Sequence, residues 1–213
     1  MYSYRFFLYL QIVIFTKNLK MFRLKLPTDP RWANIAEDNL EEILTDHAWC
    51  EQKAATNAIG LITMVPEHTE MVTELLAIAQ EELDHFNQVH EIIKKRGGTL
   101  GRTRKDDYVN DLVQFIVKGG NRTDLLVDKM LFAAMIEARS CERFKVLTEN
   151  IKDEELKKFY NDLMISEANH YTTFIGFARE IGDPEKVNKR WEEWLEYEAK
   201  VIQSYGNKET IHG

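Results

Sequence analysis

The sequence predicts an all-α fold: four long helices in a bundle with one long crossover, and an additional helix at the C-terminus. Three observations carry this reading. Apolar residues recur three and four apart over long stretches, and no segment shows the strict alternation of a half-buried strand. Glycine and proline are scarce, 10 and 4 in 213 residues, which favours long uninterrupted helices over turn-rich β structure. The strongest breaks, at Pro66, Gly97–Gly98 and Gly182 with Pro184, fall between the periodic stretches.

Helical spacing begins at about Asn34 and continues to about residue 64 through Leu40, Ile43, Leu44, Ala48, Ala54, Ala55, Ala58 and Ile62. Pro66 ends that run, because proline disfavours a helical residue before it. A second helix extends to about Arg96 with Leu75, Ile78, Ala79, Phe86, Val89 and Ile93 on one face, and Gly97–Gly98 stops it. The connection from 97 to about 122 is long for a bundle and contains a short helix within DDYVNDLVQFIVKG. Thr123 or Asp124 is expected to cap a third long helix running to about Asn150. A fourth covers roughly 153–181, with Tyr160, Leu163, Met164, Tyr171 and Phe174 inward. A fifth, carrying Trp191, Trp194, Leu195, Val201 and Ile202, is expected to dock on the outside. Four long helices with a long crossover between the second and third match a ferritin-like arrangement better than a simple up-down bundle.

A composition of 44% hydrophobic and 30% charged residues is that of a globular protein. The net charge of −7 counts against non-specific nucleic-acid binding, though a local basic patch is compatible with it. Cys50 and Cys141 are too few and too isolated for a disulfide scaffold or a CxxC site, which points to a reducing, cytosolic setting. The apolar stretch FFLYLQIVIF (6–15) is short against the roughly 20 residues that span a bilayer. Lys17 and Lys20 stand where a signal peptide would carry small residues for cleavage. Met21 opens MFRLKLPTDPRW, which reads as a natural start. Residues 1–20 are therefore read as an upstream extension consistent with a mis-assigned start, with a membrane-surface anchor as the alternative. Residues 21–205 form the bundle domain and 206–213 a tail, and no stable membrane association is expected.

Glu-x-x-His occurs at Glu82–His85, Glu167–His170 and Glu209–His212. One such pair proves little, and the last lies in a polar tail without helical context. The internal pairs differ in what accompanies them: Glu51 lies 31 residues before Glu82, and Glu137 lies 30 before Glu167. Each half reads as a helix with Glu, a turn, and a helix with Glu-x-x-His. Positions i and i+3 project on one side of a helix, so each Glu–His pair can reach one ion. Apolar neighbours turn all four carboxylates toward the core, where bare burial would cost several kcal/mol each. Two divalent ions would neutralise them, and this donor set is that of di-iron and di-manganese carboxylate bundles. Glu81 is read as solvent-facing, His47 as a satisfied histidine with a role beside Glu51 as the alternative. The two cysteines are read as small buried hydrophobes, and Tyr160 and Tyr171 as packing residues.

The strings HAWCEQKAA (47–55), AQEELDHF (79–86), IEARSCERF (136–144) and SEANHYTTF (166–174) resemble the bacterial family of tRNA hydroxylases acting on methylthio-isopentenyl-adenosine, from about residue 22 to 205. All six ligand positions are filled: Glu51, Glu82, His85, Glu137, Glu167 and His170. The resemblance implies a cytoplasmic non-haem di-iron monooxygenase, with catalysis through metals held by these residues. It implies two iron ions, dioxygen as co-substrate, tRNA as substrate, and an external electron donor such as a ferredoxin or reductase. Manganese is the alternative metal, since the same donors bind it.

A tRNA substrate needs an electrostatic footprint. The segment KKRGGTLGRTRK (94–105) offers Lys94, Lys95, Arg96, Arg102, Arg104 and Lys105 in a Gly-rich loop, against the alternative of a solvated loop. On the ligand set alone, another ferritin-like di-iron or di-manganese oxidoreductase stays open, acting on a small molecule, peroxide or iron. A non-enzymatic bundle is the second alternative, and the complete ligand set argues against it.

Overall fold

A computed structural model describes residues 21–205 and residue 211. The expected extension, 1–20, and the tail apart from residue 211 lie outside the described residues. After a short 3-10 turn, Met21–Arg23, the elements are α1 (Trp32–Asp38), α2 (Leu40–Ile62), α3 (Thr69–Lys95), α4 (Asp107–Val113), α5 (Arg122–Asn150), α6 (Glu154–Ile181) and α7 (Pro184–Gln203). No strand occurs among the described residues. The fold is all-α and ferritin-like: α2 pairs with α3, α5 pairs with α6, and the crossover from α3 to α5 contains α4.

Two boundaries differ from expectation. The first periodic stretch is two helices, because Asn39 leaves helical geometry (φ −126°, ψ 39°) and α1 starts earlier, at Trp32. The cap of α5 is Asn121, whose side chain accepts from the Asp124 N–H, rather than Thr123 or Asp124. Asx side chains cap α4, α6 and α7 in the same way, through Asp106, Asp153 and Asp183, each worth ~1 kcal/mol. Gly97 closes α3 as expected. Its φ of +77° favours glycine, and the N–H groups of Gly97 and Gly98 return to the carbonyls of Lys94 and Ile93 in a Schellman motif.

The core falls into two apolar clusters, one toward each end of the bundle. One gathers Ala58, Leu75, Ile78, Met130, Ala134, Phe174 and Ala178. The other gathers Ile43, Leu44, Ala48, Val89, Ile93, Phe144, Leu147, Leu156 and Leu163. On α2, α3 and α6 the residues between the two clusters are Glu51, Glu82 with His85, and Glu167 with His170. A polar layer therefore crosses the middle of the bundle. Ile211 belongs to the second cluster, and its N–H donates to Asp46 Oδ2 at 2.8 Å.

Helix α7 docks against the bundle as expected, burying Trp191, Trp194, Leu195 and Val201. Buried charge also fastens it. Asp128 on α5 accepts from Arg190 Nε and Nη2 (both 2.8 Å), from Trp194 Nε1 (3.2 Å) and from the Val117 N–H (2.8 Å). Arg139, also on α5 and fully buried, pairs with Glu198 of α7 and with Glu142. The sequence reading did not single out either hub, since an isolated Asp or Arg on a helix is usually a solvated residue. The Asp128→Ala variant removes one carboxylate from four donors, leaving the Trp194 and Val117 N–H groups without this acceptor and the Arg190 guanidinium with Glu193 and the Phe115 carbonyl alone. It is expected to lower stability by about 3–5 kcal/mol, with the far-UV spectrum retained, read from urea unfolding midpoints.

Candidate metal centre

Each of the four bundle helices contributes to one cluster. Glu51 comes from α2, Glu82 and His85 from α3, Glu137 from α5, and Glu167 and His170 from α6, all buried to within 5% of full enclosure. Two overlapping groups form, Glu51–Glu82–His85–Glu167 and Glu82–Glu137–Glu167–His170, with potential ligand atoms in each within 4.8 Å of one another. Glu82 and Glu167 belong to both groups; Glu51 and Glu137 belong to one each.

The histidines show how the shared carboxylates are divided. His85 Nδ1 lies 3.3 Å from Glu82 Oε2 and 3.7 Å from Glu167 Oε1. His170 Nδ1 lies 2.9 Å from Glu82 Oε1 and 3.8 Å from Glu167 Oε2. Each imidazole thus faces one oxygen of each shared carboxylate, so Glu82 and Glu167 stand between the two histidines, and Glu51 and Glu137 are the outer members of one group each. One buried atom aimed into this space, Glu167 Oε1, makes no hydrogen bond. Leaving such a group unsatisfied costs roughly 1–3 kcal/mol. Hard oxygen donors with two imidazoles suit a pair of divalent cations, and four negative charges match their four positive ones. The residues fit a two-metal centre.

The proton equilibria reflect the same crowding. Burial, then the charges of Glu82 and Glu167, pushes the Glu51 carboxyl well up. Burial and the Glu167 charge do the same to Glu137. Burial works against ionisation of Glu82 too, but hydrogen bonds from His170 and His85 outweigh it and hold that carboxyl low. Burial likewise opposes charge on His170, yet Glu167, Glu81 and Glu82 raise it well above its ordinary value; His85 is raised mainly by Glu82.

His47 stands one turn before Glu51, its Nε2 2.6 Å from Glu51 Oε1, with its ring packed against Phe144 and Tyr160. It is buried beside a ligand, the alternative allowed at this position. Glu81 departs from its expected outward orientation. Its side chain is half-exposed (51%), but Oε1 accepts from Ser166 Oγ at 2.5 Å and Oε2 lies 3.3 Å from His170 Nε2. The hydrogen bond to His170 holds its carboxyl down at about 2. Sequence spacing could not find this contact, which runs across to α6. Residues a turn away from the outer carboxylates are small: Ala48 and Ala55 near Glu51, Ala133, Ala134 and Cys141 near Glu137.

The basic segment is largely neutralised. Lys94 pairs with Glu91, Lys95 with Glu155 and Arg96 with Asp153, each at 2.6 Å. Arg104 pairs with Glu42 at 3.1 Å and Lys105 with Asp107 at 2.7 Å. Only Arg102 of the six has no acidic partner among the described residues, and it is exposed. The segment, read as basic residues in a Gly-rich loop, carries a band of surface ion pairs, because the acidic ends of α2, α4 and α6 lie beside it.

An antiparallel α-helical bundle enclosing a carboxylate–imidazole cluster that could hold metal defines the class as ferritin-like proteins. Within that class, the chain belongs to the family described as tRNA-(MS[2]IO[6]A)-hydroxylase (MiaE), which it matches over residues 15–213. It is similar to the tRNA 2-(methylsulfanyl)-N(6)-isopentenyladenosine(37) hydroxylase of Pseudomonas putida, 35% identical over 189 residues, covering 89% of this chain and 91% of that protein. The enzyme of the same name from Salmonella typhimurium is 28% identical, covering 89% of this chain and 87% of that one. A solved structure, Protein 43 with aldehyde deformylating oxygenase activity from Synechococcus, shares the fold with a TM-score of 0.83. It is 33% identical, covering 89% of this chain and 95% of that one.

Metal analysis should separate the carboxylates shared by both groups from those in one group only. Glu51→Ala is expected to retain about one ion per chain, and Glu82→Ala essentially none. In the metal-free protein, Glu51 and Glu137 sit above the ordinary carboxylate value of 4.5, and His85 and His170 above 6.5. Both kinds of raised group bind more protons folded than unfolded, so their stabilisation is lost as pH rises. Metal-free protein should therefore melt at higher temperature as pH falls from about 8 to about 5, a trend that metal loading suppresses.

Proposed function

We propose that this chain is a non-haem di-iron monooxygenase that hydroxylates the isopentenyl group of methylthio-isopentenyl-adenosine, next to the anticodon in tRNA. The observation that carries it is the pair of overlapping carboxylate–histidine groups sharing Glu82 and Glu167, in a chain of the tRNA hydroxylase family. Glu51, Glu82, His85, Glu137, Glu167 and His170 are the ligands. Iron in that position supplies activation of dioxygen and the oxidising power to attack an unactivated C–H bond.

The protein's part is placement and exclusion. Glu82 and Glu167 set the spacing of the two halves, and His47 orients Glu51 by engaging one of its oxygens. The flanking apolar clusters keep water from the reacting centre, which protects against side reactions. Hydroxylation consumes dioxygen, two electrons and two protons, placing one oxygen atom in the new C–O bond and the other in water. The electrons come from an external donor such as a ferredoxin or reductase. Action on tRNA places the protein in the cytoplasm. No described helix is long and apolar enough to cross a membrane.

The tRNA contact needs cations that phosphate can reach. Arg102 is available directly, and the surface pairs of Lys94, Lys95, Arg96, Arg104 and Lys105 are weak enough to exchange partners, at ~0–1 kcal/mol each. A second reading, oxygenation of a small aldehyde, is favoured by one observation: the Synechococcus protein of that activity has nearly the same identity to this chain as the Pseudomonas hydroxylase.

Nucleoside analysis of tRNA from cells with and without the gene decides between them. Loss of the hydroxylated adenosine upon deletion is expected, and an unchanged nucleoside profile would leave the small-molecule reading. Arg102→Glu is expected to weaken tRNA binding several-fold at low salt and to flatten its salt dependence, with iron content unchanged.

A further inference from the structure

We propose that Glu81 is a positioning residue for both halves of the metal centre at once, a single carboxylate that orients the two ligand imidazoles. The inference rests on the two-metal reading above and adds to it a residue outside the ligand set.

Both histidines turn Nδ1 toward the shared carboxylates, so each presents Nε2 outward. A neutral imidazole that ligates through Nδ1 must carry its proton on Nε2, and the group accepting that proton fixes both tautomer and ring plane. For both rings the acidic group on that side is Glu81. Its Oε2 lies 3.3 Å from His170 Nε2, and its Oε1 lies 4.0 Å from His85 Nε2. The first distance is a long hydrogen bond, and the second is closed by a small side-chain movement or one bridging water. The rings stand 6.2 Å apart, tilted by 37°, so one carboxylate can span their outer edges. Ser166 Oγ, 2.5 Å from Glu81 Oε1, anchors that carboxylate to α6.

The arrangement has an unusual division of labour. His85 comes from α3 and His170 from α6, and they fall in different metal groups. Commonly each ligating imidazole has its own acceptor. Here α3 supplies the acceptor for its own histidine and for the one on the facing helix. Glu81 therefore couples the two metal positions from the outside, as Glu82 and Glu167 couple them from the inside. It is half-exposed, so its loss opens no core cavity, and any defect should appear in metal handling rather than in folding.

The test uses full-length protein loaded with cobalt(II), comparing wild type with Glu81→Ala, Glu81→Gln and Ser166→Ala. Release of each ion to an excess of chelator is followed by the cobalt absorption bands, and melting of the metal-free proteins is measured alongside. For Glu81→Ala, both ions should leave faster together, by roughly 10–100-fold, with metal-free melting close to wild type. Glu81→Gln should fall between, because its amide oxygen still accepts one Nε2–H. Ser166→Ala should show a smaller acceleration of both. Release of both ions at the wild-type rate would overturn the proposal, as would acceleration of only one ion. A lowered metal-free melting temperature with unchanged release would assign Glu81 a structural role instead. Wild-type protein that takes up no pair of ions would refute the two-metal reading itself, a failure visible before any variant is compared.

Discussion

Four carboxylates held within a few ångströms of one another inside an apolar bundle are the constraint on which this structure depends. Bare, they would repel one another and cost several kcal/mol each in lost hydration. The protein reduces that cost in part on its own. Glu82 is stabilised as an anion by two imidazoles, while Glu51 and Glu137 are driven toward the neutral form. Glu167 Oε1 still lacks a hydrogen-bond partner and faces the cluster. A pair of cations would together neutralise the remaining charge and satisfy that atom.

The rest of the fold is arranged around this layer. Interrupting the core with polar groups divides it into two apolar clusters, neither of which runs the whole length of the bundle. Stabilisation must then come from elsewhere as well. The Asp128 and Arg139 networks bind α7 across α5, and Asx caps secure the starts of α4, α5, α6 and α7. These buried charge networks need every partner in place, so they select one docking geometry for α7.

Much of this was legible in the sequence because it depends on local periodicity. The four long helices, the short helix in the crossover, the stop at Gly97–Gly98 and the C-terminal helix follow from apolar spacing and backbone punctuation. The misses have physical causes. Asn39 breaks the first stretch without being proline or glycine, and Asn121 outcompeted the two cap candidates that follow it. Asp128 and Arg139 gave no signal because their partners on α7 lie 59 to 66 positions away. Glu81 was read as solvent-facing because Glu82 alone has the i+3 histidine; it is half-exposed, yet its side chain is long enough to cross to α6. The basic run at 94–105 reads as positive in one dimension, but Glu42, Glu155 and Asp153 reach it only in three.

By itself the sequence determined the helices and the inward faces of Glu51, Glu82, His85, Glu137, Glu167 and His170, because helix geometry ties each residue's direction to its position. Only the tertiary structure decided which carboxylates are shared, which way the imidazoles turn, and that Glu81 stands behind both of them. Those relations run between helices, and they depend on how the α2–α3 and α5–α6 pairs pack together rather than on spacing within any one of them.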